Sequence, residues 1–336
     1  FRVDKTQVFT IGLPFVSTIK FVNFENSDEF QSQINSMSDL FLRNSYSNQL
    51  IWEDFKLQFE YSNVNKDFAA DKGHAVRKSN IDINFTSSIT LAGNTLSWLT
   101  ANKDTISGGQ HTFYGNVFAQ FARADNLLIL TKRFNSKYQL AGKLMAGVGV
   151  PYGNSTTSMP YDYSFFAGGA NDNRGWKARM LCPGIYKSYL DSTGTATQIG
   201  DIRMGGAVEF RFSMSQMLKS VVFADFGNIW TTKADDDRAG AEISAQFFKQ
   251  VALTLGTGLR IDLDFFLVRF DIGFPLYNPS LPDNARWVFQ DRTPYYLEGV
   301  QYYNITGTLD KQLEGAKSKM PKPFIPALHF GIGLPF

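Results

Sequence analysis

The densest run of chemically capable residues is "FFAGGANDNRGWKARMLCPG", residues 165–184, where Gly168, Gly169, Asn171 and Gly175 surround Arg174, and Trp176, Arg179 and Cys182 follow. Glycines beside a cation could cradle a phosphate on bare backbone N–H groups. The run has no G-x-x-x-x-G-K-[ST], however, and no strand–glycine–helix setting, so nucleotide binding is not expected. Metal chemistry has no better footing: His74, His111 and His329 lie far apart without H-x-x-x-H spacing. Cys182 is the single cysteine, which excludes a disulfide within the chain and makes a thiolate metal site a poor reading. There is no G-x-S-x-G, no histidine beside a plausible nucleophile and no pair of carboxylates clustered on one short segment. The sequence is therefore expected to be no enzyme and to need no cofactor or metal. What remains for the run is geometry. Glycine clusters beside an arginine and a tryptophan imply backbone lying close against other structure, with a free surface loop as the plain alternative.

The elements that must position such a run are strands. In "NIDINFTSSITLA" Ile81, Ile83, Phe85, Ile89 and Leu91 share one face and Asp82, Asn84, Thr86, Ser88 and Thr90 the other. The two-residue rhythm returns in "WEDFKLQFEY", "KYQLAGKLMAGVGV", "DIRMGGAVEFRF", "VALTLGTGLRID" and "FLVRFDIGFPL". With "RVDKTQVFTI", "PFVSTIKFV", "YGNVFAQFARADNLLIL", "VVFADFGNIW" and the closing "ALHFGIGLPF", it amounts to about ten or eleven strands. They run to roughly 10–15 residues, where soluble strands have a mode of about 5–6 and a tilted membrane strand needs about 9–11. Aromatics gather on the apolar face, and Gly, Asn, Ser and isolated charges on the other. That favours a transmembrane antiparallel β-barrel over a large soluble sandwich, because closure alone removes backbone edges in lipid.

Composition agrees: 336 residues with 31 Phe and 28 Gly, 15% aromatic, yet only 43% hydrophobic, with a slightly negative mean hydropathy. No apolar run reaches the 18 residues of a membrane helix. The formal charge of +2 gives no reason to expect nucleic acid as a partner. The opening residues lack a basic start, an apolar core and a cleavage site, so the sequence itself is expected to hold no signal peptide. One amphipathic helix is expected in "SDEFQSQINSMSDLFLRN", where Phe30, Ile34, Met37 and Phe41 fall at helical spacing. Two stretches do not alternate, 151–198 and 277–324. The second, rich in Tyr, Pro and charge, reads as a solvated loop.

The motif "GGANDNRGW" resembles the Arg-Gly-aromatic loop of the BamA/TamA outer-membrane assembly superfamily. "GDIRMGGAVEFRF", "VVFADFGNIW", "GTGLRIDLDFFLVRFDIGFPLYNP" and "HFGIGLPF" follow in the order of that family's last five strands. "GVGVPYGNS" and "RGWKARMLCPGIY" are most similar to its TamA-like lipoprotein (TamL) branch in Bacteroidota. The resemblance is good over residues 136–336 and looser over 1–135.

It implies an outer-membrane barrel of about sixteen strands with a lumenal loop, of which residues 1–336 are the C-terminal part, the periplasmic modules and first strands lying outside the sequence. It implies insertion or translocation of proteins through a seam that opens sideways between the last strand and the first, where strand edges pair with clients. Its partners would be outer-membrane lipids, unfolded outer-membrane or secreted clients, and periplasmic or lipoprotein subunits. The loop motif, Gly168, Gly169, Arg174, Gly175, Trp176 and Arg179, would tuck into the lumen, with Glu209 and Asp225 as acidic partners of Arg174. Glu209 could instead pair on its own wall with Arg211 or Arg269. The closing strand, Phe330, Ile332, Gly333, Leu334 and Phe336, would carry the C-terminal assembly signal, and its glycines and Pro335 suit a weak seam. Cys182 stands where that branch more often has glycine and is expected to be a buried, inert thiol. Five strands after the loop put it on the opposite side of the membrane from the C-terminus. A passive porin-like channel and a two-partner secretion pore are the alternatives.

Overall fold

The computed structural model describes residues 2–4, 7–12, 18–22, 32, 49–63, 81–100, 109–155, 158–190, 198–215, 217–233, 238–263 and 266–333, residues 2–22 by backbone alone. The expected helix at 27–44 lies outside these but for Ser32, as do His74, Leu334, Pro335 and Phe336. The chain divides into two compact units, residues 1–134 with 141–165, and residues 135–140 with 166–336.

The first unit holds β1 (Arg2–Asp4), β2 (Gln7–Gly12), β3 (Thr18–Val22), β4 (Gln49–Ser62), β5 (Ile81–Ala92), the two-residue strands β6 (Thr112–Phe113) and β7 (Asn116–Val117), β8 (Phe121–Arg133) and most of β9 (Tyr138–Pro151). Its sheet runs β1-β2-β4-β5-β8-β9 with β3 also on β4, and β5 pairs β8 without a slip from Ile81↔Lys132 to Ala92↔Phe121. A short helix, α1 (Asn94–Thr100), starts where the Asp54 carboxylate accepts from the Asn94 and Thr95 N–H groups at 2.5 and 3.0 Å, filling the role of an N-cap from a neighbouring strand. Leu96 of that helix packs with Leu50 and Phe118.

The second unit holds β10 (Ile202–Ser213), β11 (Leu218–Trp230), β12 (Ala252–Asp262), β13 (Leu267–Tyr277) and β14 (Ala327–Ile332), antiparallel and in sequence order. Tight turns close one end of this sheet: Ser215 Oγ accepts from Leu218 N–H at 3.0 Å, and Leu263 N–H donates to the Phe266 carbonyl at 3.0 Å. Long connections leave the other end, residues 231–251 and 278–326, and the loop that precedes β10 enters there too. Outer-membrane barrels show that asymmetry, with short periplasmic turns and long outer loops.

Fourteen strands stand among the described residues, twelve in one sheet and two in the β6–β7 pair, against ten or eleven expected. "RVDKTQVFTI" is two paired strands, β1 and β2, and in "YGNVFAQFARADNLLIL" the long strand starts only at Phe121 while Asn116–Val117 pairs back on Thr112–Phe113. Alternation reads the same through a hairpin as along one strand, which is why the pattern missed both turns.

Burial along the long strands is inverted relative to a water-soluble sheet. On β12 Ala252, Thr254, Gly256, Gly258 and Arg260 are buried while Leu255, Thr257 and Leu259 are exposed; on β13 Arg269, Asp271, Gly273 and Pro275 are buried while Phe270, Ile272 and Phe274 are exposed. On β9 Lys143 is buried while Leu144, Val148 and Val150 are exposed. A soluble sandwich buries its apolar face, so this pattern demands an apolar medium outside.

The stretch 277–324 is not a plain solvated loop. It carries α2 (Thr293–Tyr302) and α3 (Leu309–Lys319), and Leu281, Ala285, Tyr295, Val300, Ala316 and Met320 form a small core between them. Pro294 opens α2 where its missing N–H costs nothing. The Tyr-, Pro- and charge-rich composition hid helical spacing at Tyr295, Gly299 and Val300. Cys182 is half-buried rather than fully so, with Sγ 2.9 Å from Ser188 Oγ. Burial pushes its thiol up, which keeps it from ionising at neutral pH.

Candidate functional site: a loop arginine among carboxylates from three strands

The loop entering the second unit turns back on itself at its glycines. Gly169 N–H donates to the Trp176 carbonyl at 2.9 Å, Asp172 N–H to the Gly169 carbonyl at 3.1 Å, and Gly168 N–H to Asp172 Oδ2 at 3.0 Å. Gly168 and Gly169 sit at φ +92° and +105°, which only glycine adopts freely. The turn places Arg174 at its tip, 1% exposed.

Arg174 meets its acids in a fork. Its Nε and Nη2 donate to Asp225 Oδ2 and Oδ1 at 2.9 and 2.7 Å, its Nη1 donates to Glu209 Oε1 at 2.5 Å, and its own backbone N–H donates to Asp225 Oδ2 at 2.9 Å. Asp271 Oδ2 stands 3.6 Å from Nη1, and the guanidinium lies over the Phe223 ring, 3.4 Å from its centroid. Burial alone would pull the Arg174 pKa down, but the hydrogen bonds and charge of Asp225, with Glu209 and Asp271, more than offset it and the pKa is raised. The acids come from three different strands, and register explains why they converge: Ala207↔Asp225 and Glu209↔Phe223 place Glu209 and Asp225 diagonally on one face of β10 and β11.

The wall supplies its own cations. Glu209 Oε2 accepts from Arg211 Nε at 2.7 Å, so Glu209 serves the loop and its own strand together. Arg260 Nη1 donates to Asp271 Oδ1 at 2.6 Å. Arg269 reaches the loop instead, donating from Nη1 to the Ala170 carbonyl at 2.9 Å and from Nη2 to Asn171 Oδ1. Four guanidiniums, of Arg174, Arg211, Arg260 and Arg269, thus interleave with three carboxylates. Each carboxylate is shared between or forked by arginines, the arrangement in which buried charge is tolerated.

Neutral contacts complete the seat. Asn173 Nδ2 donates to the Ala252 carbonyl at 3.3 Å, and Thr254 Oγ1 donates to Asn173 Oδ1 at 2.5 Å. The Arg174 carbonyl lies so close to β13 that a Cβ on Gly273 would sit 2.1 Å from it and 2.9 Å from the Gly175 nitrogen. Gly273→Ala should therefore lift the loop tip at a cost of about 1–3 kcal/mol, exposing the buried Arg174 to trypsin while the β12–β13 ladder persists. Unchanged trypsin protection would show that the loop is not seated through this contact.

Of the residues singled out from the sequence, Gly168, Gly169, Arg174, Gly175, Glu209 and Asp225 come together. Trp176 is half-buried and contributes its carbonyl to the turn. Arg179 lies apart from the acids, at φ +63° with its guanidinium 4.5 Å over the Phe166 ring. Phe330 and Ile332 point to the exposed side of β14, and Gly333, at φ +88°, ends the strand with its N–H on the Leu267 carbonyl at 2.7 Å. Sequence reasoning missed Asp271, Arg260, Asn173 and His329 as parts of the seat, and named Arg269 only as an alternative partner of Glu209, whereas it grips Ala170 and Asn171. Strand parity was the available signal, since Arg269, Asp271 and His329 share the polar side of their strands with the residues that were found.

The Omp85 superfamily domain matches residues 18–291, most of the chain and the whole of this seat except His329. The chain belongs to the Omp85 superfamily. Its fold class is accordingly all-β, an antiparallel transmembrane β-barrel. No curated protein matches it. Among solved structures, the crystal structure of BamA from Haemophilus ducreyi lacking POTRA domains 1-3 is similar over 82% of this chain and 48% of that one, at 17% identity and a TM-score of 0.46. This chain spans about half the length of that one.

Proposed function

We propose that this chain is the C-terminal part of an outer-membrane barrel that inserts or translocates other proteins, acting by sideways opening and strand-edge pairing at β14 rather than by covalent chemistry. Family membership supports the general role. The observation that carries it against a passive channel is the seated loop: Arg174, buried among Glu209, Asp225 and Asp271, holds a plug against the polar wall, whereas a porin keeps its lumen open. Every carboxylate of the seat is engaged by an arginine, which favours holding over proton transfer. β14 supports the edge-pairing step, because among the described residues it pairs with β13 alone. The short turns would then face the periplasm and the loop would enter from outside.

The clients of this reading are unfolded outer-membrane or secreted chains. Its partners are lipids and periplasmic or lipoprotein subunits, and upstream strands and periplasmic modules complete the machine. "RGWKARMLCPGIY" supports the TamA-like lipoprotein branch of Bacteroidota. The test is to reconstitute the full-length protein in liposomes with a urea-unfolded outer-membrane barrel and follow client folding, with single-channel recording beside it. Faster client folding with low, unsteady conductance is expected. Large steady conductance with no acceleration of folding would overturn the proposal in favour of a porin.

A further inference from the structure

β14 faces the loop with Ala327, His329 and Gly331, while Leu328, Phe330 and Ile332 point away. His329 pairs in register with Asp271 of β13, and its Nε2 lies 2.9 Å from the carbonyl oxygen of Arg174. A carbonyl only accepts, so the imidazole donates. The same residue whose side chain is forked by acids of β10 and β11 is thereby tied, through its main chain, to the last described strand. Shape supports the link on both sides. Gly273 leaves the space that the Arg174 carbonyl occupies, and a Cβ on Gly331 would stand 2.4 Å from Nε of Arg269, the residue that grips Ala170 and Asn171.

Besides the loop, β14 is held by its ladder to β13, from Gly273↔Ala327 to Val268↔Ile332, and by the Phe330 ring against Phe270. The strand is six residues long against eleven for β13, and its outward Leu328, Phe330 and Ile332 are among the most exposed apolar side chains described. The part-buried bond to the loop adds to that ladder at a short strand with one side free among the described residues.

We infer that His329 is a positioning residue that latches β14 to the seated loop, so that the freedom of the closing strand to part from its neighbours is set by whether Arg174 is in its seat. This rests on the reading of β14 as the opening edge. With the loop seated, the His329 bond steadies the strand. With the loop withdrawn, the bond has no acceptor and β14 frays from its free side. The coupling is reciprocal, so a client that displaces β14 loosens the loop.

The experiment is hydrogen exchange on the full-length protein in nanodiscs, comparing wild type with His329→Phe, which keeps a ring without a donor, and His329→Gln, which restores an N–H donor. His329→Phe should speed exchange of the 328–332 amides about five- to tenfold and leave the β10–β11 ladder unchanged, which guards against misfolding. His329→Gln should recover most of the protection. In an Arg174→Ala background β14 should already exchange fast, and His329→Phe should add almost nothing. Unchanged β14 exchange in His329→Phe, or effects of the two changes that add in full, would overturn the latch. Client folding in liposomes separates this from the functional reading: if wild type accelerates folding and His329→Phe alters that rate, both stand. If wild type accelerates folding and the variant does not differ from it, the coupling fails alone. No acceleration by wild type removes the functional reading.

Discussion

Arg174→Ala is expected to unseat the loop and to block assembly of the barrel in cells. The substitution removes the fork on Asp225 and the bond to Glu209 while leaving both acids buried, and breaking a buried pair from one side costs about 3–5 kcal/mol. Arg211 and Arg260 remain beside Glu209 and Asp271, so the penalty concentrates on Asp225, which loses two side-chain donors at once. Arg174→Lys restores the charge without the fork and should recover only part of the seat. Protease protection of residues 168–180 and the amount of protein recovered in the outer membrane are the measurements. Full protection in Arg174→Ala would mean that the neutral contacts of Asn173, Thr254 and Gly273 hold the loop by themselves.

Leu255→Arg should produce the second large effect, on the opposite face of the same sheet. Leu255 is 47% exposed, the fourth of the eleven residues of β12, with its neighbours along the strand, Thr254 and Gly256, buried on the other face. In water, an arginine there would change stability by less than about 0.5 kcal/mol. Facing lipid it costs up to about 2–4 kcal/mol, the largest value applying at the midplane of a bilayer. Insertion into liposomes measured against urea distinguishes the two, and Met214→Arg in the turn after β10, where the side chain is exposed, is the control. A Leu255→Arg protein that inserts as well as wild type would remove the lipid-facing reading of the exposed leucines and phenylalanines.

The strands and their facing were legible because a period of two survives any register: it needs no knowledge of which strand meets which. Glu209 and Asp225 were legible through the resemblance to the family's loop and strand motifs; the two-residue rhythm agreed for Glu209, and the cost of a carboxylate in lipid agreed for Asp225. Asp271, Arg260 and Arg269 carried the same parity signal, yet their roles depend on diagonal neighbours across β12 and β13, and sequence spacing does not report those. His329 was visible only as a polar position, because its partner is a main-chain carbonyl 155 residues away. The helices α2 and α3 were hidden for a different reason. Their small core is made largely of tyrosine, alanine and methionine, whose pattern in a charged, proline-containing stretch looks like loop composition.

Arg174 finds its acids 35, 51 and 97 positions further along the chain, so nothing local can assemble this seat. It exists only once β10, β11 and β13 have aligned. Sliding β11 by a single residue would turn Asp225 out toward lipid and leave the guanidinium without its fork. The seated arginine is therefore a checkpoint on strand register: a barrel that has zipped up one step out of phase cannot close over its own loop, and the mistake stays open to correction.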